Sequence, residues 1–164
     1  MGFFVTLLAS FFLLKESWLL AGVFIILSGL FDLFDGVVAR KLNKVTSYGS
    51  FLDSVLDRYS DLILLLAILV YYLQKGNLRA VILTGFVSMG TALIPYIRAK
   101  AESLGIECTI GLMERAERII LLTLGVLFHW LIPILWILAV LTHFTVFQRI
   151  YYVRKRLRSK ETQL

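Results

Sequence analysis

Long apolar runs separated by short charged segments constrain this chain more than any other feature. Six runs occupy residues 2–14, 18–38, 51–73, 80–97, 117–128 and 134–152. They end at Lys15-Glu16-Ser17, Arg40-Lys41, Gln74-Lys75-Gly76-Asn77, Arg98-Ala99-Lys100, a turn from His129 to Pro133, and a basic tail. A bilayer core about 30 Å thick takes roughly 20 helical residues to cross. Inside it every backbone N–H and C=O must pair within the chain, so uninterrupted runs predict helices rather than strands. Apolar and aromatic residues make up 59% of the 164, more than a soluble domain of this size would carry. The expectation is an all-α polytopic membrane protein, six transmembrane helices in one bundle, with residues 1–164 forming a single domain. The first run is short for a span. It predicts that the chain begins at or inside its first helix and that an N-terminal surface segment is absent. No cleavable signal peptide is expected, and the lone Cys108 excludes an internal disulfide.

Lysine and arginine bias sets the orientation. Arg40, Lys41, Lys44, Arg58, Arg98, Lys100, Arg115, Arg118, Arg149, Arg154, Lys155, Arg156, Arg158 and Lys160 fall on one side, against Lys15, Lys75 and Arg79 on the other. That places the 40–50 loop, the 98–118 loop and both termini in the cytoplasm, for a multi-pass protein of the cell membrane.

Against this apolar background four aspartates stand out. Asp32 and Asp35 are spaced i, i+3, and Asp53 and Asp57 i, i+4, so each pair shares a helix face. Gly49, Asp53, Asp57 and Asp61 continue one stripe along the third run. Carboxylates are costly at membrane depth and mark function by default. Four converging without counter-charge would repel and partly protonate. All-oxygen ligation favours hard divalent ions, Mg²⁺ or Mn²⁺, with Ca²⁺ admitted by ligand type. Four carboxylates suffice for two ions, an arrangement that clamps the attacking and leaving oxygens in phosphoryl chemistry. The plainer alternative is helix-end aspartates facing water, which two pairs with intervening glycines disfavour.

The full string is Asp-x2-Asp-Gly-x2-Ala-Arg-x8-Gly-x3-Asp-x3-Asp, filled by Asp32, Asp35, Gly36, Ala39, Arg40, Gly49, Asp53 and Asp57. It resembles the signature of the CDP-alcohol phosphotransferases, and the resemblance extends over the six-helix plan. Such enzymes displace CMP from a CDP-linked alcohol with a second alcohol. The resemblance implies that Asp32, Asp35, Asp53 and Asp57 hold the metal ions, Mg²⁺ or Mn²⁺. It further implies that Asp57 is the general base toward the acceptor hydroxyl, and that Asp32, Gly36, Ala39, Arg40, Thr46 and Gly49 cradle the cytidine diphosphate. Asp61 lies one turn past the string and would partner Arg58 or a metal ligand.

A second cationic cluster, Ile97-Arg98-Ala99-Lys100-Ala101-Glu102 followed by Glu114-Arg115-Ala116-Glu117-Arg118, closes the fourth run and opens the fifth. Cations at one depth can hold a phosphate, though ordinary positive-inside flanking reads equally well from spacing alone. The pattern resembles the inositol-phosphate-using branch of the same family. That resemblance implies Arg98, Lys100 and Arg118 as acceptor-phosphate ligands, with Arg115 and Arg154 as further candidates. The implied partners are a CDP-linked lipid (CDP-diacylglycerol or CDP-archaeol), inositol phosphate, the bilayer and a second copy of the chain. No nucleic-acid partner is expected. Within the family, glycerol 3-phosphate as acceptor or CDP-inositol as donor are the alternatives. Outside it, a divalent-cation transporter would use the same carboxylates. Gly85, Ser88, Gly90 and Ala92 give the fourth run a small-residue surface for close packing. His143 and Thr145 are expected to make an interhelical hydrogen bond.

Overall fold

The computed structural model describes residues 2–41 and 46–161, with the side chains of residues 33, 35–41, 160 and 161 outside that description. Six helices form: α1 (Gly2–Leu14), α2 (Trp18–Lys41), α3 (Ser47–Gln74), α4 (Leu78–Ser103), α5 (Arg115–Leu127) and α6 (Leu131–Glu161), with no strand among the described residues. The apolar runs predict each of them. The helices overrun the runs at the charged ends, because lysine, arginine and glutamate are good helix formers once hydropathy has stopped. Thr46 caps α3 by accepting from the Gly49 N–H at 3.0 Å. Asn77 caps α4 by accepting from the Ala80 N–H at 3.1 Å.

Each helix packs on two neighbours, in the circuit α2–α1–α3–α4–α6–α5 and back to α2. The core inside the ring holds Leu13, Leu65, Ile68, Val87, Val126, Leu135 and Leu138, all nearly inaccessible. Gly90 lets α4 approach α6 at Thr142, whereas a Cβ at Gly85 would meet nothing within 4 Å among the described residues. His143 does not bridge helices by a hydrogen bond. Its Nδ1 lies 3.0 Å from the Ala139 carbonyl of its own helix, and its ring stacks on Phe86 at 4.2 Å. Thr145 bonds outside its helix, accepting from the Met113 N–H at 3.2 Å.

Two helices, α4 and α6, are long and apolar enough to cross a membrane by length and composition, while α1 and the Trp18–Asp32 part of α2 are shorter apolar helices. The first half of α3 carries Asp53, Asp57, Arg58 and Asp61, which confines its apolar stretch to the second half. The outer surface is nonetheless apolar around the bundle: Phe4, Leu19, Leu66, Ile82, Trp136, Val140 and Phe147 are all largely exposed. Patches of this extent mark contact with lipid or another protein.

The α1–α2, α3–α4 and α5–α6 turns meet at one end of the bundle. Lys75 pairs with Glu16 at 2.6 Å, and Trp18 packs on Tyr71 and on His129, each at 5.0 Å between centroids. The 104–114 loop lies at the other end, folded onto α4 and α6 through Ala101, Ile106 and Cys108, with Tyr152, Val153 and Leu157 against them.

Candidate active site

The site is assembled where α2, α3 and α5 meet. Ser28, one turn before Asp32, donates to the Gly2 carbonyl at 2.9 Å and lies 2.6 Å from the Thr6 hydroxyl. These bonds fasten the start of α1 to α2. A side chain on Gly2 would collide with the Asp32 carboxylate, so the close approach of α1 helps seat that aspartate. On α3 the spacing of four brings Asp57 and Asp61 onto the face turned toward α5. Asp53 begins the same stripe, one turn nearer the helix start, and is exposed.

Arg115, in the first turn of α5, reaches all of these elements. Its Nη2 lies 2.7 Å from Asp32 Oδ2, its Nη1 2.6 Å from Asp57 Oδ1, and its Nε 3.3 Å from Asp61 Oδ1. One guanidinium therefore joins three carboxylates from two helices, using its rigid fork of donors. Asp61 has a second partner, Arg118 Nη2 at 2.6 Å, and Arg118 also donates to the Met113 carbonyl at 3.2 Å. Asp61 thus serves the two arginines of α5. Arg58, the partner considered from sequence, instead bonds the Ser54 carbonyl of its own helix.

Beside Asp57 opens a cleft of about 250 Å³, lined by Asp57, Asp61, Arg98, Glu114, Arg115, Arg118 and Arg149 together with Ile94 and Pro95. Pro95 lacks an N–H, so the helix ladder is interrupted at the cleft wall. Arg118 is 6% exposed and its Nε has no hydrogen-bond partner among the described residues. A buried unpaired donor is uncommon and calls for an acceptor. Arg98 holds Glu102 at 3.0 Å at the cleft's outer edge.

The acceptor candidates divide between two places. Arg98, Arg115 and Arg118 line this cleft. Lys100 and Arg154 line a different groove, between α4 and α6, with Tyr96, Leu104 and Arg158. Helix geometry explains the split: residues two apart point to opposite sides, so Arg98 and Lys100 cannot share a face. The sequence counted Arg149 only toward topology. It is 2% exposed, donates to the carbonyls of Ile110 and Ile94 at 2.8 Å each, and lies 3.6 Å from Glu114. Its signal was available, since it is a single cation inside the last apolar run, one turn past Thr145.

Of the donor cradle, Thr46 and Gly49 are engaged with each other. A Cβ at Gly49 would lie 2.9 Å from the Thr46 hydroxyl, so the cap itself favours glycine there. The side chains of Asp35, Ala39 and Arg40 and the surroundings of Gly36 lie outside the described residues, as does Lys44. Asp32 and Asp57 present carboxylate oxygens to one shared positive group, the Arg115 guanidinium. All-oxygen donors of this kind are the type that hard divalent cations take, although no three acidic, histidine or cysteine side chains are grouped to hold an ion among the described residues.

Comparison with known proteins bears on the same site. The profile of the CDP-alcohol phosphatidyltransferase family matches residues 1–148, which include all four aspartates. The archaetidylinositol phosphate synthase of Methanothermobacter thermautotrophicus is 40% identical over 164 residues, covering 96% of this chain and 81% of that protein. The phosphatidylinositol phosphate synthase of Cutibacterium acnes is 34% identical over 157 residues, covering 85% and 75%. Among solved structures, the phosphatidylinositol phosphate synthase of Mycobacterium tuberculosis in complex with manganese and citrate superposes with a TM-score of 0.81. It is 26% identical and covers 93% of this chain and 78% of that one. The same synthase with CDP-DAG bound gives a TM-score of 0.79 at 26% identity, covering 93% and 86%. By profile, sequence and fold alike, the chain belongs to the CDP-alcohol phosphatidyltransferase family, a group of membrane transferases of substituted phosphate groups.

Proposed function

We propose that this chain transfers the phosphatidyl-type group of a CDP-linked lipid, CDP-diacylglycerol or CDP-archaeol, to a hydroxyl of inositol phosphate, releasing CMP. The observation that carries the reading is the cationic cleft that Asp57 lines together with Arg98, Arg115 and Arg118. The names of the relatives, archaetidylinositol phosphate synthase and phosphatidylinositol phosphate synthase, support the same acceptor.

In this reading Asp32, Asp35, Asp53 and Asp57 hold two divalent ions, Mg²⁺ or Mn²⁺. When bound, these neutralise the pyrophosphate of the donor and the charge that develops on the leaving phosphate. Gly36, Ala39, Arg40, Thr46 and Gly49 receive the cytidine diphosphate, an assignment resting on the motif. Arg98 and Arg118 hold the acceptor's phosphate by charge-assisted hydrogen bonds. Arg115 joins them, and Lys100 and Arg154 stand at the neighbouring groove. Asp57 removes the acceptor hydroxyl's proton. The hydroxyl oxygen then forms a bond to the lipid-bearing phosphorus, the bond from that phosphorus to the CMP oxygen breaks, and CMP leaves with the electron pair.

The chain is proposed to act as one domain of six membrane spans, with the site at the cytoplasmic face and the lipid tails between helices. The exposed apolar girdle supports burial in lipid. A homodimer is proposed from the outward face of α4, where a Cβ at Gly85 would meet nothing within 4 Å among the described residues and Ile82, Phe86 and Met89 are exposed. The discriminating experiment measures CMP release from each donor with each acceptor in detergent–lipid micelles. Turnover with inositol phosphate, and none with glycerol 3-phosphate, is expected. Turnover only with glycerol 3-phosphate would overturn the acceptor, and Mn²⁺ flux into liposomes without nucleotide would favour a transporter.

A further inference from the structure

We propose that Arg115 is a built-in counter-ion of the metal site, one that a divalent cation displaces toward the acceptor cleft. The inference rests on the metal and acceptor reading above and deepens it. Arg115 uses its three nitrogens on three different carboxylates, Asp32 at 2.7 Å, Asp57 at 2.6 Å and Asp61 at 3.3 Å. Asp32 and Asp57 belong to the motif assigned to the metals, whereas Asp61 does not. A guanidinium on Asp32 Oδ2 and Asp57 Oδ1 competes with a divalent cation brought to the same two carboxylates, because it draws on their charge and the two cations repel each other. Loading the site therefore releases Arg115 from Asp32 and Asp57.

Asp61 is placed to retain it. It lies one turn from Asp57, is partly buried where α3 faces α5, and already holds Arg118 at 2.6 Å. A guanidinium tethered there faces the cleft lined by Arg98, Arg118 and Arg149. Before loading, its charge is spent on aspartates. After loading, it is available to an acceptor's phosphate. The pocket for the anionic acceptor is complete only once the cation is seated, so cation loading precedes tight acceptor binding. That order also keeps the base covered until the cation is seated.

The test titrates Mn²⁺ into the purified full chain without donor, following free Mn²⁺ by electron paramagnetic resonance. Arg115→Gln is expected to tighten Mn²⁺ binding by about fivefold or more, because the competitor is gone. Arg118→Gln removes the same charge from the same cleft but touches neither Asp32 nor Asp57, and should change Mn²⁺ affinity by less than about twofold. In Mn²⁺-loaded protein, Arg115→Gln should weaken inositol phosphate binding roughly tenfold, while unloaded wild type should bind it no better than that variant does. Equal tightening in both arginine variants, or none in Arg115→Gln, would overturn the inference. Asp53→Asn separates its failure from that of the underlying reading. If Asp53→Asn binds Mn²⁺ as wild type does, the metal site itself is wrong. If Asp53→Asn loses Mn²⁺ and Arg115→Gln leaves affinity unchanged, only the counter-ion role falls.

Discussion

An aspartate that accepts a proton and one that only ligates a cation fail differently when replaced. Asp57 is proposed for both roles, Asp53 for the second alone. Removing a general base typically lowers rate by about 10²–10⁴-fold. Asp57→Asn should therefore lose CMP release by at least about that factor at any Mn²⁺ concentration. Asp53→Asn should recover part of its rate as Mn²⁺ is raised, because its defect is affinity. Recovery of Asp57→Asn by excess metal would reduce Asp57 to a ligand. Thr46 tests a different claim. Its hydroxyl caps α3 and meets the Gly49 N–H at 3.0 Å. Thr46→Ala should destabilise the helix start by about 1 kcal/mol, read as faster amide exchange over the first turn of α3. A fall in donor affinity without that exchange signature would assign the hydroxyl to the nucleotide alone.

At the scale of elements, six apolar runs predict six helices because a run of apolar residues and a buried helix are here the same object. The helix ends were less legible. Hydropathy stops at Val38, while α2 continues to Lys41, and it stops near Tyr152, while α6 continues to Glu161. Of the two aspartate pairs, Asp32 and Asp57 converge on one guanidinium, while Asp53 is exposed and the Asp35 side chain lies outside the described residues. Arg98 and Lys100 were not correctly separated, because the cluster was read along the chain rather than around the helix. Arg149 was missed for the opposite reason: its signal is not a repeating pattern but its isolation inside an apolar run, which a count of charges toward topology passes over. It fixes the 104–114 loop by its bond to the Ile110 carbonyl and ties α6 to α4 by its bond to the Ile94 carbonyl. Orphaning a buried acceptor costs about 1–3 kcal/mol, so Arg149→Met should lower the melting temperature in detergent and expose the loop to protease. It should also weaken the acceptor more than the donor. Unchanged protease sensitivity would show that the loop is held by the Ala101, Ile106 and Cys108 packing instead.

For the whole molecule, the decisive question is which end faces which solution. Three turns converge at one end, joined by the Lys75–Glu16 pair and the Trp18, Tyr71 and His129 rings. Aromatic rings of this kind sit where bilayer meets water. The opposite end carries the carboxylates, the arginine cleft and the start of the basic tail. A hydrophilic acceptor must reach that end from solution, and lysine and arginine bias is the ground on which that end is proposed to face the cytoplasm. Lys75 is half-exposed on the other end, so Lys75→Cys reports one face and Ser159→Cys the other. Cys108 is fully buried and can be replaced by alanine to give a silent background. In intact cells a membrane-impermeant maleimide should label Lys75→Cys at once and Ser159→Cys only after permeabilisation. Labelling of both without permeabilisation would mean that fewer helices span than proposed. The reverse pattern would turn the site outward, away from any cytoplasmic pool of CDP-linked lipid and inositol phosphate. The topology and the proposed reaction therefore stand or fall on the same measurement.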